Sequence, residues 1–531
     1  MIAPVAPQTG GAVFALTRIE AVRLLRHPVV LLALVALAAW WLLPWILGTA
    51  QNSFPVLHEQ DQATAFPAMV VGFAALVAAN RAVLRAHRHG TEELYGVRLV
   101  PRWGRTAAHL LAVVPLAVLV SGAAIAHVAA LSTVPAAVGR VNPAELATAP
   151  ALVLLLGASG VLLGRLVRSP AGAPLAVVLL LFGSFAGDII RASADGSARW
   201  LGLVGLQLGN EQAFTPDLLA RPAGWHALYL VGLALFVAGA VLLRDRGPWV
   251  PVAGMLVVAV LGTVVAGSAQ LRPLPEQVRL ARVAATEQPA SRQTCVVAGG
   301  VKYCMFAGYE ARVAQWQPVV EGVRKLMPPQ AAQQPLTVRQ RVAATNPPPQ
   351  GGSWVVGPAP VESWRADDLA AGTPGAVSVS TTWRPGSEGR ADFPLGLAYA
   401  VAARAVGTSD VEFAHGVQCG GRAIVALWLA ASSRPDGVAA IKTQLAMSMG
   451  SSLALPVVDG GQSLLIDSRD VTVVQGMLGL PTDRVQAQVH RDWAQLTGPG
   501  VRTADIAARF GLPEPPPLPP VGERSVGTED C

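Results

Sequence analysis

Seven apolar stretches dominate this chain, at about 28–48, 66–84, 106–131, 148–167, 173–191, 224–243 and 249–268. A helix needs about 20 mostly apolar residues to cross about 30 Å of hydrocarbon. In lipid a backbone must satisfy its own hydrogen bonds, so runs of this length fold as helices. The sequence therefore predicts a polytopic α-helical membrane protein with seven spans. Only 14% of the 531 residues are charged, against roughly 25% in soluble domains. That deficit lies in the first half. Residues 269–531 read as a Pro- and Gly-containing domain that folds in water. The break Arg244-Asp-Arg-Gly-Pro248 separates the last two spans, because each charge at mid-bilayer costs about 2.5–3.5 kcal/mol.

The first apolar run is too long for a signal peptide, whose apolar region covers about 7–15 residues. Trp40, Trp41 and Trp45 suit an interfacial belt. The run is therefore expected to stay as a span. Orientation follows from arginine. With the N-terminus inside, the inner segments carry thirteen arginines and the outer loops four: Arg140, Arg191, Arg199 and Arg221. Positive residues favour the cytoplasm, so the N-terminus is expected inside and, after seven spans, residues 269–531 outside. The net charge of +7 is thus explained by membrane loops and does not call for nucleic acid.

All four cysteines, Cys295, Cys304, Cys419 and Cys531, fall in the second half. An even number in one compartment points to an oxidising location. Residues 294–298 and 301–305 read as two strands joined by Gly299-Gly300, a pair suited to a two-residue hairpin turn. In that register Cys295 faces Cys304 as a non-hydrogen-bonded pair, close enough for a disulfide. By elimination Cys419 pairs with Cys531, closing a loop of about 110 residues worth about 4–5 kcal/mol in the chain-entropy model. The alternative is a free thiol at Cys531.

Two amphiphilic segments lie on the expected cytoplasmic side. Residues 12–27 carry Phe14, Leu16, Ile19, Val22 and Leu25 at helical spacing, with Arg18, Arg23 and Arg26 expected opposite them and Glu20 between. That pattern suits an interfacial helix. Residues 81–105, RAVLRAHRHGTEELYGVRLVPRWGR, join spans two and three. Gly90 can end one helix, and Thr91, Glu92 and Glu93 can start another, since acids favour a helix N-terminus. Pro101 breaks the chain before span three.

These segments resemble the permease subunit of ABC-2 type, exporter-like ABC transporters. The marks are Glu20-x-x-Arg23-Leu-Leu-Arg26-His-Pro28, the elbow Thr91-Glu-Glu-Leu…Val100-Pro-Arg-Trp-Gly-Arg-Thr106, and Pro216-x-Leu-Leu-x-Arg221-Pro-x-x-Trp225-His-x-x-Tyr229-Leu. The resemblance covers about residues 1–245. It implies a cytoplasmic interfacial helix over 1–27, with Arg18, Glu20, Arg23 and Arg26, and a six-span permease core over 28–248. It implies a coupling elbow at 85–105, in which Thr91, Glu92, Glu93, Leu94, Arg98, Pro101, Arg102 and Arg105 meet an ATPase subunit. It also implies a homodimer or a second permease beside this chain. The seventh span, 249–268, and the extracytoplasmic domain 269–531 with its Pro-rich tail depart from the six-span pattern. The alternative is a membrane-anchored sensor or assembly factor without transport.

No Walker A motif occurs, so ATP binding is expected in a partner. A zincin helix needs H-E-x-x-H, but the one His-Glu pair, His58-Glu59, has no second histidine. His415 and His490 are the only histidines after residue 268 and read as ordinary polar residues. No catalytic residue, metal site or cofactor is expected, and the exported substrate is not encoded in any motif. Asn80, His109, His127 and Asp188 lie in or near spans, where polar groups are costly. All but His127 sit close to span ends, within reach of headgroups. Asp188 and His127 are the candidates for substrate contact.

In the second half a helix is expected at about 309–327, burying Val313, Trp316, Val320, Val323 and Leu326. A Pro/Gln-rich loop follows at about 328–352, and a strand at 377–383. Helical patterns recur at about 395–407, 421–432, 437–448, 469–479, 483–496 and 503–510. The expected fold is mixed and mostly helical α+β.

Overall fold

Pro28 stands at the first turn of the first long apolar helix, where its missing N–H costs nothing. The His27 ring accepts a hydrogen bond from the Val29 N–H at 3.3 Å and so caps that helix. In a computed structural model, residues 9–50, 54–88, 100–193, 200–204, 214–342, 360–384, 386, 392–408, 417–448, 452–458 and 462–515 are described, without the side chains of 9, 86–87, 188–193 and 462. The chain divides into two compact units, Met1–Leu208 with Ala220–Leu274, and Gly209–Leu219 with Pro275–Cys531.

The first unit is helical throughout its described elements. Its main helices are α1 (Thr9–Leu25), α2 (Pro28–Ile46), α3 (Leu57–Ala63), α4 (Ala65–Arg88), α5 (Arg102–Leu111), α6 (Val114–Ser132), α7 (Thr148–Leu166), α8 (Gly172–Ser193), α9 (Ala223–Arg244) and α10 (Trp249–Gln270). Among the described residues, six segments are long and apolar enough to cross a membrane: 28–46, 57–85, 102–132, 143–166, 223–244 and 249–270. The stretch expected at 173–191 is the helix α8, of 22 residues, but its described apolar part ends at Gly187 and is too short to be counted with the six.

The bundle is built around α4 and α7. Leu76, Leu152, Val153 and Leu156 are fully buried between helices, whereas Leu32 on α2 is 70% and Val258 on α10 is 65% exposed. Large apolar side chains on the outside are what a lipid-facing surface requires. The central contact depends on small residues. A Cβ on Gly160 of α7 would overlap the Leu76 carbonyl oxygen of α4. Close approach of this kind compensates for the lack of a hydrophobic drive between helices in lipid. Between α9 and α10 the chain reverses in a few residues. Arg246 takes a φ of 58°, and the Gly247 N–H donates to the Leu242 carbonyl at 2.8 Å.

The second unit holds two small sheets among helices. In the first, β1 (Gln293–Ala298) pairs antiparallel with β2 (Val301–Phe306), which is followed by parallel β3 (Thr337–Arg341) and β4 (Val377–Ser380). In the second, β7 (Gln462–Asp467) lies between β5 (Val417–Gln418) and β6 (Ser452–Val458). The hairpin has the expected register. Cys295 faces Cys304, the two are disulfide-bonded with Cα atoms 4.1 Å apart, and Gly299 and Gly300 take φ of 55° and 71°. Cys419 is also disulfide-bonded, and Cys531 lies outside the described residues.

Two short apolar helices, α14 (Phe393–Ala405) and α15 (Gly421–Ser432), are buried on almost every side and form the middle of this unit. At 13 and 12 residues they are core helices and too short to cross a bilayer. Trp316, Val320 and Val323 of α12 (Val313–Leu326) are the buried face that the spacing predicts, while Val313 and Leu326 are only half-buried. Residues 276–287 form α11 (Glu276–Glu287). Arg282 on α11 donates to the carbonyls of Leu218 and Leu219 at 2.7 and 2.9 Å and lies over the Phe214 ring, while Arg292 pairs with Asp217 at 3.2 Å. That is how Gly209–Leu219 becomes part of the second unit.

β3 corrects the expected loop at 328–352. Its sequence, TVRQR, lacks apolar alternation, yet Arg339 and Arg341 are both buried. They share one buried carboxylate, Asp368 on α13 (Val361–Ala370). Arg339 Nε lies 2.9 Å from Asp368 Oδ1, and Arg341 pairs with Oδ2. Arg341 also lies over the Trp364 ring, 4.7 Å from its centroid.

A second buried carboxylate sets a pH dependence. Asp470, on α16 (Ser468–Leu478), accepts from Thr503 Oγ1 at 2.6 Å and the Gly420 N–H at 2.7 Å. Burial pushes its pKa up to about 7; Thr503 and Gly420 oppose this, and Asp467 adds to it. The folded value exceeds the unfolded one of 3.8. Its contribution to stability is therefore full below about pH 4 and lost as pH rises to about 7. Melting of the second unit is expected to fall between pH 5 and pH 8 by more in the native chain than in Asp470→Asn. Equal slopes in the two proteins would refute the assignment.

Candidate functional site

The first unit gathers buried charge at the end of the bundle that carries α1. Glu20 on α1 is only 5% exposed, and a carboxylate buried to that degree needs partners. It accepts from Arg23 at 3.0 Å, one turn along its own helix, and from Arg85 on α4, also at 3.0 Å. His109 Nδ1 on α5 lies 3.8 Å from its other oxygen. One side chain thus links α1, α4 and α5.

Three residues farther back on α5, Thr106 is fully buried. It donates to Asp245, the residue that ends α9, and accepts from Arg165 near the end of α7 at 2.7 Å. Arg165 Nε is 3.0 Å from the same Asp245 oxygen. Thr106 and His109 stand at i and i+3, so they share one side of α5. That helix therefore engages two ion clusters, one reaching α1 and α4 and the other α7 and α9.

The coupling residues expected from sequence fall around α5. Thr91, Glu92, Glu93, Leu94 and Arg98 lie outside the described residues. Pro101 sits at the N-cap of α5, its carbonyl accepting from the N–H groups of Gly104 and Arg105 at 3.1 and 3.3 Å. Arg102 is exposed and Arg105 half-buried. On α1 the expected separation of apolar and basic faces does not hold. Phe14, Ile19 and Val22 share the exposed side with Arg18, Arg23 and Arg26, and the buried side is made of Glu20, Ala21 and Leu24. The helix packs through Glu20, Ala21 and Leu24, which leaves Phe14, Ile19 and Val22 outward.

At the opposite end of the bundle Arg221 pairs with Glu145 at 2.6 Å, donates to Gln62 at 2.8 Å and covers the Trp200 ring at 4.7 Å. His226, one turn into α9, lies 3.1 Å from the Trp200 carbonyl and 3.3 Å from Gln270 at the end of α10. Arg221 was part of a sequence motif; its buried partner Glu145 carries no recognisable signal in sequence.

The other polar candidates find ordinary roles or none. His127 stacks on Trp41 with ring centroids 4.8 Å apart. Asn80 is fully buried on α4, and its amide atoms have no hydrogen-bond partner among the described residues. The side chain of Asp188 is outside the described residues, as is His415. His490 lies 2.9 Å from the Leu326 carbonyl. Among the described residues no three His, Cys, Asp or Glu side chains are grouped to hold a metal.

The described residues define a class: a helical protein with six helices long and apolar enough to cross a membrane, joined to a mixed, helix-rich α+β unit. Comparison with protein-family models, curated proteins and solved structures finds no match.

Proposed function

We propose that this chain is the permease subunit of an ATP-driven, ABC-2 type export complex whose ATPase is a separate chain. The observation that carries the reading is the wiring of α5. The helix that follows the elbow is bonded by Thr106 to α7 and α9, and its His109 lies beside Glu20 of α1, which Arg85 of α4 engages, so a push on the elbow bears on four helices. A coupling element needs that connection. A paired permease, homodimeric or not, follows from the same reading.

Seven crossings fit the contacts. Arg165, just before α8, meets Asp245 at one end of the bundle, and Trp200, just after it, meets Arg221 at the other. Phe66, at the start of α4, lies 6.4 Å from Phe185 late in α8. α8 then serves as the additional crossing, and α10 leads out to an extracytoplasmic second unit, where disulfides persist.

Affinity-tagged chain from native membranes is expected to bring down an ATPase subunit. Replacing Glu92 and Glu93 by alanine is expected to reduce ATP-dependent export about tenfold or more without loss of the complex. A chain that never co-purifies with an ATPase, and whose variant leaves export and ATPase activity untouched, is no permease; the sensor or assembly reading then takes its place. A reporter fused after Cys531 that is active only in the cytoplasm would overturn the seven-crossing orientation.

A further inference from the structure

Between α1 and α4 lies a cavity of about 240 Å³, many times the space of about 10–15 Å³ that one water needs. Its polar lining is Glu20, Arg23, His27, Arg81, Arg85 and Arg88. Four guanidinium groups therefore face one carboxylate, and that carboxylate is already shared by Arg23 and Arg85. Arg81 and Arg88 have no ion-pair or hydrogen-bond partner among the described residues. Arg81, Arg85 and Arg88 stand at i, i+4 and i+7, which places them on one side of α4.

Such a cluster is costly unless an anion completes it. Like charges repel at close range, and nothing within the lining balances three of the four cations. Ala78 and Ala82 leave space where larger side chains would fill it. His27 adds a neutral donor: its Nδ1 accepts from the Val29 N–H, which leaves the proton on Nε2. Guanidinium groups match phosphate oxygens in geometry and charge.

The surroundings indicate the source of the phosphate. Phe14, Ile19 and Val22 of α1 and Leu31 and Leu32 of α2 are exposed apolar side chains on the two helices that meet at His27. A surface of this kind lies at the boundary of a bilayer, at headgroup depth. We propose that the cavity binds a phosphate group, and that an anionic phospholipid headgroup supplies it. The inference needs the chain to be in a membrane but does not need it to be a permease.

The test uses the full-length protein in nanodiscs of phosphatidylcholine with increasing phosphatidylglycerol, reading retained lipid by native mass spectrometry. Retention of phosphatidylglycerol is expected to weaken roughly tenfold or more in the double variant Arg81→Gln/Arg88→Gln, since each arginine near an anionic surface contributes about one factor of five. Both side chains are exposed and unpaired among the described residues, so the fold is expected to persist, with the melting midpoint in pure phosphatidylcholine as its check. The control variant Arg484→Gln/Arg491→Gln removes two exposed charges of the second unit and is expected to retain lipid normally. Equal loss in the control would reduce the effect to surface charge and overturn the proposal. Inorganic pyrophosphate that binds the native chain without anionic lipid, and is lost in the Arg81/Arg88 variant, would uphold phosphate chemistry and overturn lipid as its source. Unchanged lipid retention with loss of a co-purifying ATPase would make the cavity a socket for an acidic protein segment and also overturn the proposal.

Discussion

Asp368→Ala is expected to destabilise the second unit by about 3–5 kcal/mol, the range found when one partner of a buried ion pair is removed. The side chains of Arg339 and Arg341 are 1% and 6% exposed, and both depend on that carboxylate. Removing it leaves two guanidinium groups in a site that water reaches poorly. Urea titration of the full chain in detergent, read by brief proteolysis of the second unit, measures the loss. Asp436→Ala removes a carboxylate that is 58% exposed and paired with Arg434, and is expected to cost no more than about 0.5 kcal/mol. A loss below about 1 kcal/mol in Asp368→Ala would mean that the triad does not carry the charge balance described. Replacing all three residues by apolar ones of similar volume is expected to restore most of the stability, because buried ion pairs gain little over good packing.

Gly160→Ala is expected to damage the membrane unit through a single methyl group. The added Cβ meets the Leu76 backbone, which cannot move aside as a flexible side chain can. α4 and α7 must then separate at the most buried contact in the bundle. Overpacking of this kind costs about 1–3 kcal/mol or more. Folded, monodisperse protein on size exclusion in detergent is expected to fall sharply. Gly183→Ala on α8 provides the contrast, since a Cβ there meets nothing within 4 Å. It is expected to be neutral or stabilising, by up to about 1 kcal/mol, because alanine favours helix. Similar behaviour of the two variants would count against the α4–α7 contact.

Features with a strong local signal could be read from the chain alone. Apolar length located six crossing-length helices and the apolar part of α8. Gly299-Gly300, with cysteines at equal distance on either side, determined the register of the hairpin and its disulfide. The helical repeats at 395–407, 421–432 and 437–448 correspond to Phe393–Ala405, Gly421–Ser432 and Gly437–Met447. What failed depended on partners distant in sequence. β3 carries arginines that read as solvent-facing until Asp368 is brought beside them. β6 contains Pro456, which argues against a strand unless a register shift accommodates it, as it does here. Thr106 and Asp245 are 139 positions apart, and neither has a neighbour that hints at the other. Glu20 entered the sequence reading only as part of the Glu20-x-x-Arg23 motif, and its burial follows from Arg85, 65 residues away.

The inclusion of Gly209–Leu219 in the second unit has a consequence for modularity. That unit is not a bead on a single string. The backbone passes between the two units three times, at 208–209, 219–220 and 274–275. A chain shortened to end before Pro275 would keep Phe214 and the Leu218 and Leu219 carbonyls but lose the arginine that engages all three. Grafting the unit onto another protein as a terminal fusion would leave it short of its own inserted segment. The two units can be named separately, but the second cannot be cut from the chain at a single peptide bond.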